Sequence, residues 1–437
     1  MKNHFDAVIV GGGPAGSYLA YNLSKDGFKV ILIDNKPLSH LWDKPCGAIA
    51  SPLILNYLDR MGINRDIAIE EKYNYVKVFN RNMNEIAEVK LPLIKVNRQE
   101  VGKELANELC NVGVKIIDKK MGVKLKVRDD IVSAVILNNG ENICGRLIID
   151  ATGFTGILRH QLRGKIPEWL IDKEDLVIAV IEDNSERRRL FETFSLIIDK
   201  GIVPGGYAWY TPLEDRTIIG IGLQPVIPNI MLSKRLLYIK KLIGIRGKIL
   251  GRSIGVIYAR RALASFVYNG YAMVGDAGAQ GNPLLGGGIL GAFIGANIAY
   301  EQIKKALEES KGENLMISDL WGYNIEFMKK RGRLLAILDI IRLFTQALSN
   351  EDLIRFARQL PQEITFKLDD IVKIGMETLG TIIKARIFWK MIDVIKAIQR
   401  IQILFDKYPN SPEKIFEWTK EVNSIFSEFK KDIYKRK

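Results

Sequence analysis

The sequence predicts an α/β fold interrupted by a β-rich block and closed by a helical C-terminal region. Three observations predict it. A short apolar strand, a glycine turn, a helix and a second strand succeed one another within the first 34 residues. Residues 175–225 carry several short apolar runs of strand length. From about residue 320 onward apolar residues recur at helical spacing instead.

The chain's 437 residues suffice for two closely packed domains or one composite fold. With 47% hydrophobic and 26% charged residues, a folded core is expected rather than a disordered chain. The formal charge of +14 fits an anionic partner, either nucleic acid or an anionic membrane surface, or simply a basic, soluble surface. No zinc-finger spacing or RNP-type signature is present, so nucleic acid is not expected. Cys46, Cys110 and Cys144 are widely spaced and form no CxxC pair. That argues against a disulfide framework or zinc site and fits a reduced cytoplasmic setting, peripheral to the membrane if the charge has that use. No signal peptide is expected, because the apolar start at 5–10 is short and runs into glycines. The most apolar stretch, 283–299, contains five glycines and falls short of the roughly 20 residues of a membrane span. A buried helix approached closely by a ligand is the reading.

Residues 5–10 (FDAVIV) have strand length, and GGGPAG follows at 11–16. Residues 17–25 have helical spacing, with Leu19, Ala20 and Leu23 on one side. Residues 29–33 form a second strand ending at Asp34. This is a βαβ unit. Residues 41–51 read as a loop containing Lys-Pro-Cys-Gly. A helix is expected over 98–112, a strand over 114–117, a hairpin over 123–127 and 131–137, and a buried strand over 147–149 leading into DATG. Strands are expected at 176–180, 196–198, 207–210 and 217–223, and a basic helix over 231–250. A strand at 271–274 leads into GDAG and the glycine-rich run at 281–291. No internal repeat is found.

The spacing of Gly11, Gly13 and Gly16 fits a dinucleotide site. Gly11 permits the tight turn, Gly13 lets a pyrophosphate approach the backbone, and Gly16 lets the helix pack on the strand. The helix N-terminus offers free N–H groups to phosphate. Asp34, 18 residues past Gly16, stands where an acid accepts hydrogen bonds from a ribose. These features serve NAD and FAD alike. DATG at 150–153 and GDAGAQGNPLLGGGI at 275–289 favour FAD, because an extended ligand would meet all three segments. Asp276 would bond a ribityl or ribose hydroxyl, and the helix after it would face the flavin with its N-terminus.

Together these motifs resemble the flavoprotein family that includes p-hydroxybenzoate hydroxylase, squalene epoxidase and the geranylgeranyl reductases. DKPCG at 43–47, PGGYAWYTP at 204–212 and the glycines at 286–288 look most like the archaeal geranylgeranyl reductases (digeranylgeranylglycerophospholipid reductases). The resemblance covers essentially the whole chain. It implies a Rossmann-like FAD-binding domain over 1–170 with 250–310, an inserted β-rich substrate domain over 171–249, and a helical C-terminal domain over 311–437. It implies FAD contacts from Gly11, Gly13, Ala15, Gly16 and Asp34, from Lys44, Pro45, Cys46 and Gly47, from Arg98 and Met121, and from Asp276, Gly287, Gly288 and Ile289. Arg98 begins a helix, where a guanidinium can pair with a pyrophosphate. The sequence departs from the family twice, with Ala48 where the loop usually has an acid and Thr211 where the aromatic strand usually has Phe.

The implied reaction is saturation of isoprenoid double bonds in archaeal-type membrane lipid precursors. Hydride goes from reduced flavin to one carbon and a proton to the other. An isoprenoid chain needs an apolar, aromatic-lined channel. Tyr207, Trp209 and Tyr210 are the expected substrate contacts, with Tyr207 and Trp209 on one strand face and Tyr210 on the other. Cys46 is the expected catalytic residue, a thiol beside the ring that donates a proton or gates the site. His4, His40 and His160 match no catalytic or metal spacing, and no metal is expected. With one dinucleotide unit, electrons would come from a transient NAD(P)H or from a ferredoxin-like carrier. Lys234, Arg235, Lys240, Lys241, Arg246, Lys248 and Arg252 form a basic cluster that can face head groups or simply water. Three alternatives stand beside the reductase. They are a flavin monooxygenase or epoxidase, a polyprenyl-quinone side-chain reductase, and a non-enzymatic isoprenoid-binding flavoprotein.

Overall fold

The computed structural model describes residues 5–167, 171, 173–186, 192–225, 231–363 and 388–435. His4 and residues 364–387 of the region expected to be helical lie outside them.

Two eight-stranded sheets organise the chain. In the first, Phe5–Val10 lies between Val30–Ile33 and Asn142–Asp150 and runs parallel to both. Lys115–Ile117 extends the sheet beyond Val30–Ile33, and Tyr271–Met273 extends it beyond Asn142–Asp150, again in parallel. The hairpin Gly122–Arg128 and Ile131–Leu137 pairs antiparallel to Asn142–Asp150. Residues 7–10 and 30–33 are buried throughout. Their unbroken Val, Ile and Leu runs suit a sheet covered on both faces. One cover is built from the helices Pro14–Lys25 and Ile289–Glu309. They meet through Tyr18 and Phe293, whose rings lie edge to face 5.8 Å apart. Burying Phe293 alone contributes about 2–3 kcal/mol. The architecture is Rossmann-like, as the glycine and strand pattern predicts.

The second sheet runs Ile249–Tyr258, Leu176–Asn184, Thr217–Leu223, Tyr207–Pro212, Ser195–Ile197, Ile69–Phe79, Glu85–Val96 and Ile49–Ala50 in spatial order. Residues 69–79 and 85–96, expected inside the dinucleotide-binding unit, pair instead into this sheet. Their register slips at three places, which blurs the period-2 pattern a sequence reading needs. Residues 231–250 are not one helix. The helix ends at Ile243 on left-handed Gly244, and an edge strand, Ile249–Tyr258, follows. Gly251, Arg252 and Gly255 hide that strand from periodicity, and it belongs to the second sheet rather than to the dinucleotide-binding unit.

C-terminal helices close the molecule. Ile317–Phe327, Arg333–Ala347, Phe388–Asp406 and Ile415–Lys435 pack on one another and on the first sheet's core. Trp321 stacks on Tyr408 at 6.1 Å, and the indole N–H of Trp418 donates to the Leu404 carbonyl at 3.0 Å. Asp339 anchors this region to the segment after the edge strand. Its carboxylate accepts the Arg261 backbone N–H at 3.1 Å and the Arg342 Nε–H at 2.9 Å.

Candidate active site

Strands that run parallel end on the same side, and four of the motifs directly follow such strands. Val10 pairs with Ile33 on one side and Asp150 on the other, and Met273 pairs with Asp150. The turns at Gly11, Asp34, Ala151 and Gly275 therefore emerge together at the carboxyl edge. That edge is where ligands bind in open α/β sheets.

Contacts between the turns are close. Gly11 has φ +111°, and a Cβ there would collide with the Ala151 carbonyl of DATG. A Cβ on Gly16 would collide with the Gly11 carbonyl. Gly275 of GDAG has its missing Cβ 3.0 Å from that of Ala15. Gly13 is different. It has ordinary extended backbone, and a Cβ there would meet nothing within 4 Å. No side chain caps the helix that Gly13 begins. The N–H groups of its first turn therefore have no side-chain acceptor, an arrangement that suits phosphate.

Asp34 is buried beside this turn. One carboxylate oxygen accepts the Gly12 N–H at 2.6 Å and the other accepts the Lys36 N–H at 2.9 Å. Its backbone carbonyl accepts the Lys120 N–H at 3.0 Å, so exposed Met121 comes to the same corner. Asp150 has a structural part. It is fully buried and accepts from the Thr152 N–H and hydroxyl, the Arg159 N–H and the Tyr271 hydroxyl.

The Lys-Pro-Cys-Gly loop lies against the other turns. Lys44 reaches Asp276 at 3.4 Å, joining this loop to GDAG. Arg98 donates to the backbone carbonyls of Lys44, at 3.1 Å, and Trp42. Its guanidinium thus clamps the loop, where a pyrophosphate contact was expected, while its Nε has no partner among the described residues. The half-buried Cys46 Sγ accepts the Ala48 N–H at 3.3 Å. Burial opposes ionisation of this thiol. Arg98, Lys44, the Ala48 N–H and Lys95 together outweigh it and hold the thiol below its ordinary value. Ala48 sits at φ +54°, a left-handed conformation uncommon for a residue with a Cβ.

One face of the second sheet supports these loops. The missing Cβ of Gly255 would stand 3.2 Å from Pro45, and that of Gly47 would stand 3.4 Å from the Trp209 indole nitrogen. A Cβ on Gly286 would come within 2.9 Å of Ile257 and 3.7 Å of the Tyr207 hydroxyl. That hydroxyl donates to the Leu285 carbonyl at 2.5 Å. Burial, then proximity to Cys46, pushes the Tyr207 phenol up to about 12. Tyr207 and Trp209 lie edge to face at 6.0 Å, opposite Gly222 and Gly220. The Trp209 indole N–H is buried and has no partner among the described residues. Tyr210 does not join them. Alternation sends it to the opposite face, where it is 1% exposed in the cluster beneath the helix Leu232–Ile243. Thr211 is fully buried.

Exposed Gly286 and Gly287 lead into Gly288 and Ile289 at the start of the helix Ile289–Glu309, which again has no side-chain cap. Asn282 shapes the approach. Its side-chain oxygen accepts the N–H groups of Leu284 and Leu285 at 2.9 and 3.1 Å. Gly288 leaves 3.5 Å between its absent Cβ and the Asp276 carboxylate.

Sequence reasoning missed Arg159, which is fully buried and ties DATG to its neighbours. It donates to the Ala277 carbonyl and, at 2.8 Å, to the Tyr258 hydroxyl. No local signal marks it. Gly220 and Gly222 had one, a glycine alternation inside a strand, which indicates close approach by another group.

Two uncapped helix starts, a buried acid beside one of them and Asp276 beside the other fit an elongated dinucleotide with a phosphate middle. A family model described as Lycopene cyclase protein matches residues 6–164. The chain is 28% identical to a digeranylgeranylglycerophospholipid reductase of Sulfolobus acidocaldarius, covering 98% of this chain and 99% of that one. A geranylgeranyl bacteriochlorophyll reductase-like protein from Thermoplasma acidophilum superposes with a TM-score of 0.77 at 20% identity, over 88% of this chain and 98% of that one. A p-nitrophenol 4-monooxygenase from Pseudomonas putida superposes with a TM-score of 0.65 at 18% identity, over 86% and 98%. These likenesses to solved structures show the fold.

Proposed function

We propose, from the premise that this chain is a member of the geranylgeranyl reductase family of flavoproteins, that it saturates carbon–carbon double bonds of an isoprenoid lipid with FAD as its cofactor. One observation carries the reading. The glycine turns of three distant segments meet at one sheet edge, and the Cys46 loop joins them to an aromatic and glycine-lined face of a second sheet.

When bound, FAD supplies the hydride chemistry that an unpolarised alkene needs. The chain's own residues do the rest. Gly13 and the helix after it receive the pyrophosphate, and Asp34 with Met121 borders the nucleoside end. Asp276 and the Gly287–Gly288–Ile289 turn hold the flavin side. Tyr207 and Trp209 wall an apolar channel, and Gly220, having no side chain, lets the Trp209 indole lie flat over its strand. Cys46 Sγ holds the proton that the second alkene carbon takes up, and the cations around it ease that release. Arg98 acts through the loop, fixing where the thiol stands.

Anaerobic incubation of the flavin-loaded, dithionite-reduced protein with an unsaturated archaeal lipid tests this by mass spectrometry. The expected product gains about two mass units per bond, hydride plus proton. An oxygenated product in air, with no saturation under anaerobic conditions, would make the protein an oxygenase instead. Stopped-flow reduction by NAD(P)H and by a ferredoxin-like carrier assigns the donor.

A further inference from the structure

A second surface has the character of a lipid-facing one, 231–254. Lys234, Leu237, Tyr238 and Lys241 are spaced i, i+3, i+4 and i+7 on the helix Leu232–Ile243, so they form one stripe. All four are exposed. The opposite side of the helix, with Leu236, Ile239 and Ile243, is buried against the second sheet.

The edge strand Ile249–Tyr258 continues the stripe. Ile254 pairs with Val180, whose side chain packs in the same cluster as the helix. Alternation then places Arg252 on the helix side with Ile254, while Leu250 stands at a bulge in the register. A buried carboxylate ties the two elements together. Glu182 accepts from Lys240 at 2.8 Å and from the Arg252 Nε–H at 2.8 Å. Leu250 and Ile254 are each 60% exposed, the highest values among the described large apolar residues, and Leu237 is 51% exposed.

Charge selects the occupant. No Asp or Glu occurs between Asp215 and Asp276. Lys234, Lys241 and Lys248 are exposed and make no ion pair among the described residues. A water-facing helix has no need of exposed leucines and isoleucines beside unpaired cations, whereas apolar tips ringed by lysines match an anionic bilayer interface. No helix among the described residues is long and apolar enough to cross a membrane, so contact here would be from the outside.

We infer that the exposed face of the helix Leu232–Ile243 and the adjoining edge strand docks on an anionic lipid bilayer, with Leu237, Tyr238 and Ile254 inserting between head groups. The inference rests on the reductase reading for the reason a bilayer would be met, and it places that bilayer beside the sheet whose other face carries Tyr207 and Trp209.

The test is flotation of the flavin-loaded protein with vesicles of phosphatidylcholine, with and without phosphatidylglycerol. Binding is expected only to the anionic vesicles. Lys234→Gln with Lys241→Gln should weaken it about 25-fold, from about 1 kcal/mol per cation near the surface. Leu237→Ser with Ile254→Ser should weaken it further even in high salt, where charge is screened. Both double variants should keep the wild-type melting temperature and reduce a detergent-solubilised isoprenoid at the wild-type rate. Absence of vesicle binding by the wild type, or binding that neither variant disturbs, overturns the docking face. So does self-association abolished by Leu237→Ser, which would give the face to a second copy. Vesicle binding that survives while no isoprenoid is reduced instead defeats the reductase reading.

Discussion

Gly220 stands directly across the strand pair from Trp209, and the indole lies where a side chain of residue 220 would otherwise be. Gly220→Ala should therefore tilt the indole into the proposed channel. Overpacking of this kind costs about 1–3 kcal/mol. Thermal denaturation should show that modest loss, flavin content should stay unchanged, and KM for an isoprenoid substrate should rise. Unchanged KM would remove Trp209 from the channel wall.

Gly11 and Gly13 separate folding from binding. Gly11→Ala meets both a positive φ and the Ala151 carbonyl, so a loss of more than about 4 kcal/mol is expected, read as insoluble or low-melting protein. Gly13→Ala meets nothing within 4 Å, and its stability should change by no more than about 0.5 kcal/mol. Yet its methyl occupies the space proposed for a pyrophosphate. FAD affinity by fluorescence titration should fall at least about 10-fold, or 1.4 kcal/mol. Normal FAD binding by Gly13→Ala would move the phosphates elsewhere.

Asp34→Ala leaves the Gly12 and Lys36 N–H groups without their charged acceptor. Hydrogen bonds to charged groups contribute about 1.5–3 kcal/mol. The turn should loosen and FAD Kd rise by about 10- to 100-fold in titration calorimetry. Asp34→Asn keeps an acceptor oxygen for Gly12 and should recover part of that loss.

The Cys46 thiol has its pKa depressed, so thiolate is present at lower pH than for an ordinary cysteine. Its rate of alkylation by iodoacetamide should rise through a midpoint below 9.0, the ordinary value. Arg98→Ala removes one of the cations responsible and should shift the midpoint upward. The same linkage stabilises the fold above the ordinary thiol range and fades as pH falls through the depressed value. A midpoint unmoved by Arg98→Ala would separate the two residues electrically.

Much of the cofactor edge is legible in the sequence because each motif is local. The Gly11–Gly16 turn, Asp34, DATG and GDAG each announce a strand end, and parallel pairing then brings the ends together. The second sheet is less legible. Residues 69–79 and 85–96 slip register repeatedly, and the edge strand 249–258 mixes glycines with a charge. Neither shows the clean alternation of a half-buried strand. Arg98 illustrates another limit. A helix-start arginine suggests an anion, but its nearest acceptors are the Trp42 and Lys44 carbonyls, supplied by a loop 54 to 56 residues earlier. Long-range backbone partners leave no trace in local composition.

The chain passes from one sheet to the other four times, after Ile33, Val96, Asp150 and Tyr258. Four covalent connections make poor hinges, so wide opening and closing of the two sheets about one another is not expected. They also prevent the second sheet from being exchanged as a module between proteins. New preferences would then arise by small replacements along the inner surface, such as a single methyl at residue 220, which would meet the Trp209 indole.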